Sequence, residues 1–277
     1  MAPLITLLTD FGLTDAYVGI MKGVMMAIAP NIPLIDLTHD IPPQDLWAAR
    51  FNLVNAIPYF PNGTIHLAVV DPGVGGDRRA VAIKLPHCTL VGPDNGIFSG
   101  VLAPYLRTGR EIDRVEKIEP GIKEIEAIAL TNPSYWRTSN PSTTFHGRDI
   151  FAPVAAHLAQ GVPIADLGER IDPKTLRFLA LPEVQHQGNG LVGCVQYGDR
   201  FGNLITTIEG QRVEGKTWSV AMGSQQLQGQ TTYGQVERGQ PVALVGSHGW
   251  VEIAVNGGSA KDYFGLDIGE TVRVSFA

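Results

Sequence analysis

One loop of the sequence places acidic and basic side chains on either side of a glycine-rich turn. Residues 69–79 (VVDPGVGGDRR) begin with an apolar pair, reach Asp71 at a Pro-Gly turn, and end with Arg78 and Arg79. A carboxylate close to a guanidinium keeps its negative charge and a fixed orientation, as a proton acceptor or a ligand-binding acid requires. A surface turn with a loose ion pair fits the same residues. The density of turn residues after a strand end favours a functional loop.

A second segment, residues 143–149 (TTFHGRD), places His146 where a polar loop enters a helix. A neutral imidazole can take or hold a proton near pH 7, so His146 is a candidate for acid–base chemistry. A histidine that packs in the core or caps the helix fits the same pattern, and His39, in residues 38–40 (THD), is the next candidate. The sequence has no paired-histidine spacing such as HExxH, so we expect no metal site.

Asp10 lies in residues 9–12 (TDFG), directly after the first apolar run. In open parallel sheets ligands collect beyond the carboxyl ends of the strands, and a carboxylate there can accept two hydrogen bonds from a ribose diol. Capping of the next helix is an equally good explanation of this acid. A kinase DFG motif is excluded because no glycine-rich loop or HRD element precedes it.

Three segments in the last third of the chain contain residues suited to a flat ligand. Phe201 and Asn203, in residues 199–203 (DRFGN), could stack on a base and bond to an adenine edge. A hairpin turn with one buried aromatic explains them as well. Residues 246–250 (GSHGW) and 253–259 (IAVNGGS) contain glycine turns whose backbone can approach a ligand closely.

Alternating strands and helices are predicted for the part of the chain that carries the first three segments. The predicted strands cover residues 4–8, 33–37, 64–70, 80–85 and 88–92, the last two forming a hairpin. The predicted helices cover residues 14–29, 43–57, 97–105 and 149–159, with Thr14 or Asp15 capping the first. This alternation predicts an α/β fold class, with a mainly parallel central sheet in an N-terminal domain of residues 1–178.

The pattern changes at residues 179–190, where proline, glutamine and glycine indicate a linker. In residues 191–277, short Val-, Ile- and Thr-rich strands alternate with glycine turns, which predicts a smaller antiparallel β-barrel or sandwich. The predicted strands there cover residues 191–197, 204–208, 218–222, 242–246 and 251–255.

Composition excludes several classes of protein. The 277 residues carry a formal net charge of −6 and no run of Lys or Arg, so we expect no nucleic-acid partner. No stretch has the length of a bilayer span and the first residues lack a signal-peptide pattern, so we expect no membrane partner. Two distant cysteines, Cys88 and Cys194, predict neither a disulfide framework nor a zinc site. We expect a cytoplasmic protein with two buried thiols.

Together, these segments resemble one family. The strings LLTDFG, VVDPGVG followed by RR, FHGRD, DRFGN and GGSA occur in this order over nearly the whole chain. This ordered set resembles the S-adenosylmethionine hydroxide adenosyltransferases, also called adenosine-forming S-adenosylmethionine hydrolases, which are relatives of the bacterial fluorinase and chlorinase. The resemblance implies hydrolysis of S-adenosyl-L-methionine to adenosine and L-methionine, with no cofactor. It also implies a homotrimer whose active sites lie between the N-terminal domain of one subunit and the C-terminal domain of the next.

The resemblance also assigns residues. Its catalytic Asp-Arg-His set falls on Asp71, Arg78 and His146, with Arg79 as an alternative guanidinium. We expect Asp71 and His146 to orient and deprotonate the attacking water, and Arg78 to stabilise the hydroxide and hold Asp71. The implied substrate contacts are Asp10 at the ribose; Phe201, Asn203, Asn256 and Gly257 at the adenine; and Asp199 and Ser247 near the methionine end.

The halogenating relatives differ from this chain at two positions. They place a Tyr where this chain has Asp71, and a halide-binding Ser where it has Gly147. A carboxylate would repel a halide ion, whereas it can orient water and accept its proton, so we expect hydroxyl transfer. A halide-using adenosyltransferase of the same fold and a non-catalytic protein that binds adenosine or S-adenosylmethionine are the alternative hypotheses.

Overall fold

The computed structural model describes residues 3–106, 125–179, 181–222 and 225–277. The chain divides into two compact units, Met1–Leu179 and Ala180–Ala277. The first combines a sheet with helices, and the second is built mainly of strands, so the predicted α/β fold class with a smaller β-barrel-like second part is confirmed. None of the helices in the described residues is long and apolar enough to cross a membrane.

A single sheet organises the first unit. Its strands are β1 (Ile5–Thr9), β2 (Leu34–Thr38), β3 (Thr64–Val69), β4 (Ala80–Lys84), β5 (Cys88–Pro93), β6 (Glu126–Ala129) and β7 (Glu169–Ile171). They lie in the order β2-β1-β3-β5-β4-β6-β7. Strands β2, β1, β3 and β5 are mutually parallel, and the remaining neighbours are antiparallel. The parallel core and the β4–β5 hairpin match the prediction, whereas β6 and β7 lie outside the predicted elements.

The described α-helices of this unit are α1 (Tyr17–Ile28), α2 (Leu46–Ala56), α3 (Ser99–Leu106) and α4 (Ala152–Ala159). The predicted cap of α1 by Thr14 or Asp15 is wrong, since Ala16 occupies the cap position and makes no side-chain hydrogen bond there. The reason is the turn that precedes the helix. Gly12 has a φ of 65°, and its N–H donates to the carbonyl of His39, so the chain reverses there and the helix starts later than the residue pattern indicates.

Helices α1 and α4 pack together over the parallel strands. Val18, Met21 and Met25, which recur at helical spacing, form the buried face of α1. A π-helical turn, Gly147–Phe151, leads directly into α4. Such turns are rare and are frequent at functional sites. The packed core therefore holds the start of this turn in a defined place.

The second unit is a closed β-barrel. Its strands are β8 (Gln185–His186), β9 (Gly190–Gly198), β10 (Leu204–Glu209), β11 (Trp218–Met222), β12 (Gln225–Gln230), β13 (Pro241–Val245), β14 (Trp250–Val255) and β15 (Thr271–Phe276), and a short helix, α5 (Ala260–Phe264), follows β14. Seven strands close the barrel because β9 pairs with both β15 and β10. Strand β8, inside the predicted linker, adds an edge to β9. The β12–β13 pair is parallel, and the other pairs are antiparallel.

Candidate functional site

Two of the acidic residues singled out in the sequence leave the sheet at the same edge. Strands β1 and β3 are parallel neighbours, and Thr9 at the end of β1 pairs with Val69 at the end of β3. Asp10 follows the first strand directly, and Asp71 follows the second after one further residue. The parallel pairing therefore places both carboxylates at the carboxyl edge of the sheet, where ligands collect in folds of this type.

Asp71 and Arg78 form a buried, multiply bonded ion pair. The loop after β3 brings Arg78 back, so that its Nε donates to Asp71 Oδ1 at 3.0 Å and to Oδ2 at 2.9 Å. The terminal nitrogen Nη2 donates to Oδ2 at 2.5 Å. Each side chain is only 5% exposed. Burial and this fork geometry hold the carboxylate in one orientation, so the pair is not a loose surface contact.

His146 is bonded to the same guanidinium. Its Nδ1 lies 2.7 Å from Arg78 Nη2. Because arginine only donates hydrogen bonds, Nδ1 must be the acceptor, and the proton of the neutral ring then resides on Nε2. Burial and, next, the positive charge of Arg78 lower the pKa of His146, against smaller opposing effects of Asp71 and Asp149. The imidazole is therefore neutral at pH 7 and offers an N–H, not a lone pair, on its Nε2 side. We name these three residues the Asp–Arg–His cluster.

Arg79, the alternative guanidinium, has other partners. Its Nε donates to Asp94 Oδ2 at 2.8 Å, and its terminal nitrogens donate to the hydroxyl and carbonyl of Thr175. Asp94 also accepts from the backbone N–H of Arg177. Arg79 thus ties the end of the first unit to β5, and Arg78 is the guanidinium that joins Asp71 to His146.

A buried acid that the sequence analysis did not select holds the segment that carries His146. Asp149 is fully buried and accepts hydrogen bonds from Arg137 Nε at 2.5 Å, from Arg148 Nε and Nη2 at 2.7 and 2.8 Å, and from the N–H of Ser142 at 2.8 Å. Burial alone would raise the pKa of Asp149, but the bonds from Arg148, Arg137 and Ser142 outweigh it and hold the pKa far below its usual value. The pairing with Arg137, twelve residues away, has no signal in the sequence.

Asp10 is fixed by a neighbouring loop and does not cap α1. Its Oδ2 accepts from the backbone N–H of Gln44 at 2.8 Å. Gln44 has a φ of 66°, a left-handed conformation that is uncommon outside glycine. Strain of this kind is concentrated at ligand-binding sites. No described residue is bonded to the other carboxylate oxygen of Asp10, so this oxygen can accept a hydrogen bond from a ligand hydroxyl.

His39, the second histidine candidate, lies in a structural position. It is buried, its Nδ1 lies 2.8 Å from the hydroxyl of Thr9, and its Nε2 lies 3.0 Å from Asp36 Oδ1. The backbone carbonyl of His39 also accepts a hydrogen bond from the N–H of Gly12. These contacts tie β2 to the turn after β1, so the side chain supports the Asp10 turn and is enclosed between protein groups.

The loop between β9 and β10 carries the predicted adenine contacts of the second unit. Phe201 is 76% exposed, so the alternative of a hairpin with a buried aromatic is wrong. An aromatic ring of this size left in water suits stacking on a base or burial against a partner. Asn203, directly before β10, is 8% exposed, and Asp199 accepts three hydrogen bonds from the residues of the loop.

The remaining candidates lie on two turns of the barrel. Asn256 donates through Nδ2 to the carbonyl of Val236 at 2.8 Å, and Gly257 has a φ of 70° that requires glycine. Ser247 is exposed in the turn between β13 and β14. Its neighbour His248 lies 3.0 Å from the buried Glu252, a contact that sequence reasoning did not identify.

No group of three or more metal-ligating side chains is present among the described residues.

Two family descriptions match most of the chain. Residues 5–168 match the SAM hydroxide adenosyltransferase N-terminal domain, and residues 193–273 match the C-terminal domain of the same enzymes. A Thermus thermophilus protein named (R)-S-adenosyl-L-methionine hydrolase is 45% identical over 96% of this chain and 97% of its own length. A Salinispora tropica protein of the same name is 39% identical over 99% of this chain and 98% of its own. A Nocardia brasiliensis fluorinase is 28% identical over 98% of this chain and 96% of its own.

Solved structures agree with these sequence matches. A Thermotoga maritima protein described as uncharacterized and conserved has a TM-score of 0.85 at 32% identity, covering 98% of this chain and all of that one. A conserved hypothetical protein from Thermus thermophilus has a TM-score of 0.76 at 39% identity, covering 99% of this chain and all of that one. On the matched domains, the identities and the fold, this chain belongs to the SAM hydroxide adenosyltransferase family.

Proposed function

We propose that this protein hydrolyses S-adenosyl-L-methionine to adenosine and L-methionine by attack of water on the ribose C5′ carbon. The observation that carries the proposal is the Asp–Arg–His cluster, a buried carboxylate joined through Arg78 to a neutral imidazole. The names of the Thermus and Salinispora relatives, which specify the R epimer at sulfur, support it and indicate that this epimer is the preferred substrate.

The reaction is a displacement in which the leaving group needs no acid. A lone pair of the water oxygen forms the bond to C5′, the C5′–S bond breaks, and its electron pair returns to sulfur. Methionine then leaves as a neutral thioether. One water proton passes to a base, and the other remains on the new 5′-hydroxyl. Alignment of water and C5′ supplies a large part of the rate enhancement, roughly 7–11 kcal/mol in the best intramolecular cases.

Asp71 is the proton acceptor in this proposal. Neutral His146 uses its lone pair at Nδ1 on Arg78, so it has no lone pair for a water proton. Its Nε2–H can instead donate to the water oxygen and orient it. The carboxylate of Asp71 has lone pairs beyond those used by Arg78, and attack on carbon makes the water protons strongly acidic. This division of labour is narrower than the expectation that both residues deprotonate water.

Arg78 has two functions in this scheme. Its fork to Asp71 holds the carboxylate in one orientation, and its bond to His146 sets the tautomer that presents Nε2–H. The charge of the guanidinium also favours the hydroxide character that the water oxygen acquires during attack. A closed site of low dielectric strengthens each of these interactions.

Substrate binding is proposed for residues outside the cluster. Asp10 accepts from the ribose hydroxyls through its free oxygen, Phe201 stacks on the adenine, and Asn203 bonds to the adenine edge. The turn at Asn256 and Gly257 approaches the base with its backbone, and Ser247 lies near the methionine end. We propose no metal and no cofactor, so dialysis against a chelator should leave the rate unchanged.

We further propose a cytoplasmic homotrimer, with each active site formed by the N-terminal domain of one subunit and the C-terminal domain of the next. The exposed ring of Phe201 supports a covering partner surface, and the buried free thiols Cys88 and Cys194 suit a reducing compartment. Light scattering on the purified protein tests the trimer, and cell fractionation tests the location.

The deciding experiment is hydrolysis in isotopically labelled water. Purified protein is incubated separately with the R and S epimers of S-adenosyl-L-methionine in H₂¹⁸O, and the adenosine is analysed by mass spectrometry. The proposal requires label in the 5′-hydroxyl, faster turnover of the R epimer, and no 5′-chloro or 5′-fluoro nucleoside when halide is added. Binding of substrate without release of adenosine would leave only a binding protein.

A further inference from the structure

The carboxylate of Asp199 fixes the direction of the amide of Asn203. Asp199 Oδ1 accepts from the backbone N–H of Phe201 at 2.9 Å and of Asn203 at 2.8 Å. Asp199 Oδ2 accepts from Asn203 Nδ2 at 2.9 Å. An ionised carboxylate only accepts hydrogen bonds, so the NH₂ group of the amide must face it. The assignment of nitrogen and oxygen in this side chain thus follows from the chemistry of its partner.

The amide oxygen of Asn203 is left available by this arrangement. No described residue donates a hydrogen bond to Asn203 Oδ1, and the side chain belongs to a largely buried residue directly before β10. The loop is closed a second time, because Asp199 N–H donates to the carbonyl of Asn203 at 3.0 Å. The amide therefore presents an acceptor in a loop that holds its backbone and its side chain together.

We propose that Asp199 is a positioning residue that makes the site select purines with a 6-amino group over purines with a 6-oxo group. The inference rests on the proposed function, in which Asn203 meets the adenine edge. Asn203 Oδ1 accepts from the 6-amino group of adenine. A 6-oxopurine presents an oxygen there, and two acceptors would face each other. The amide cannot rotate to donate to that oxygen, because its own oxygen would then face the carboxylate of Asp199.

This role differs from the methionine contact that the resemblance implies for Asp199. The carboxylate of Asp199 accepts three hydrogen bonds within its own loop, and one of them fixes which end of the Asn203 amide points away from Asp199. A site whose polar atoms are directed in this way rejects a mismatched base more strongly than a free amide can, since a free amide reverses at little cost.

The test compares adenosine and inosine, which differ at the 6-position in the sense required. Their binding to the full-length protein is measured by titration calorimetry. The wild type should prefer adenosine by about tenfold to a hundredfold, the range expected when the mismatched base leaves a buried acceptor without a donor. In D199N the new amide is nearly isosteric, and its NH₂ group donates to Asn203 Oδ1. The amide of Asn203 then reverses and presents NH₂, so the preference should fall by at least about tenfold in favour of inosine.

Two further variants make the result specific. D267N changes an exposed turn-forming aspartate of the same unit that bonds to Lys261 and to the N–H of Ile268, and it should keep the wild-type ratio. In the double variant D199N/N203D, the amide at position 199 donates to one oxygen of the carboxylate at position 203. The other oxygen of that carboxylate faces the purine as an acceptor, so this variant should recover preference for adenosine. A structural role alone would weaken both nucleosides equally in D199N and would not be corrected by the exchange.

The outcomes separate the inference from the proposed function. An unchanged adenosine-to-inosine ratio in folded D199N, or failure of the double variant to recover the ratio, overturns the role of Asp199 while hydrolysis stands. If D199N does not fold, as judged by circular dichroism, the double variant alone decides, because the inference requires its preference for adenosine to equal that of the wild type. A wild-type protein that binds neither nucleoside but releases labelled adenosine from S-adenosyl-L-methionine overturns the inference alone, and one that also releases no adenosine overturns the proposed function as well.

Discussion

The substitution Asp71→Asn separates the catalytic use of a buried ion pair from its structural contribution. The first unit contains a second pair of the same type, Arg79 with Asp94, whose carboxylate is 4% exposed compared with 5% for Asp71. Both acids are bonded through Arg Nε and a terminal nitrogen. Only the pair of Asp71 contacts His146. Asp94→Asn is therefore a matched control that removes one carboxylate charge without touching the Asp–Arg–His cluster.

The effect on stability follows from burial. Removing one partner of a buried ion pair costs about 3–5 kcal/mol, because the other charge remains uncompensated. An amide keeps the shape and one acceptor oxygen, so we expect the lower end, about 3 kcal/mol. At roughly 2–4 °C per kcal/mol for a unit of this size, Asp71→Asn should lower Tm by about 6–12 °C. Asp94→Asn should cost the same or less, since its partner Arg79 is 32% exposed and can recover contact with water.

The effect on catalysis should distinguish the two variants. Asp71→Asn removes the proposed proton acceptor, and one acid–base group contributes about 10²–10⁴ to turnover. We expect kcat to fall by that factor and KM to change little, whereas Asp94→Asn should keep kcat close to that of the wild type. Adenosine release is measured by chromatography well below the lower Tm, and folding is checked by circular dichroism. Retention of about a tenth or more of kcat in Asp71→Asn would refute the assignment. Equal losses in both variants would do so as well.

Three further outcomes are expected. Burial and the charge of Arg78 lower the pKa of His146, so kcat should be level through neutral pH and fall below pH 6.5. The fall is expected because protonation places an N–H at Nδ1 against the guanidinium of Arg78. If His146→Gln keeps the same decrease of kcat at low pH, the decrease does not come from His146. Asp10→Asn should raise KM several-fold with kcat largely retained, as steady-state kinetics can determine, and an unchanged KM would contradict the ribose contact. Asp149→Asn should lower the free energy of unfolding at pH 7 by about 3–5 kcal/mol. Because the pKa of Asp149 is depressed, its contribution to stability is present above pH 3.8 and is lost as the pH falls through the depressed pKa. Urea titrations should therefore give similar stabilities for the wild type and the variant at strongly acidic pH.

Elements with a strong local pattern were predictable from sequence. Burial determines the apolar runs of β1, β3 and β5 and the helical spacing of apolar residues in α1, so these elements can be predicted from their own residues. Strand β6 is only four residues long, and its burial comes from packing beside β4. The glutamine-rich strand β12 contains one buried leucine, so its sequence looks polar although its backbone pairs on both sides. Elements that depend on their neighbours leave little pattern in their own residues.

The site was predictable to the same degree. Asp71 and Arg78 lie seven residues apart in a loop of turn residues, so a local pairing could be inferred from the sequence. His146 is 68 residues from Arg78, and only the ordered set of motifs indicated that the two belong together. The hydrogen bond from Arg137 to Asp149 could not be inferred, because the sequence does not distinguish a buried aspartate from an exposed one. The tautomer of His146 likewise requires knowledge of which partner donates.

In the proposed site, the choice between water and halide depends on charge at one position and on space at another. Asp71 supplies a carboxylate where a halide ion would need neutral donors, and Arg78 is already committed to that carboxylate through three contacts. Gly147 is buried, and a Cβ added there would lie 3.2 Å from Met21 Sδ and 3.2 Å from a ring carbon of Phe145. A serine hydroxyl therefore requires both side chains to move before it could bind an ion. Conversion to a halogenating enzyme would need the carboxylate removed at position 71 and the packing around position 147 rebuilt. Removing the charge alone leaves no space for the serine hydroxyl, and rebuilding the packing alone leaves a carboxylate that repels the halide.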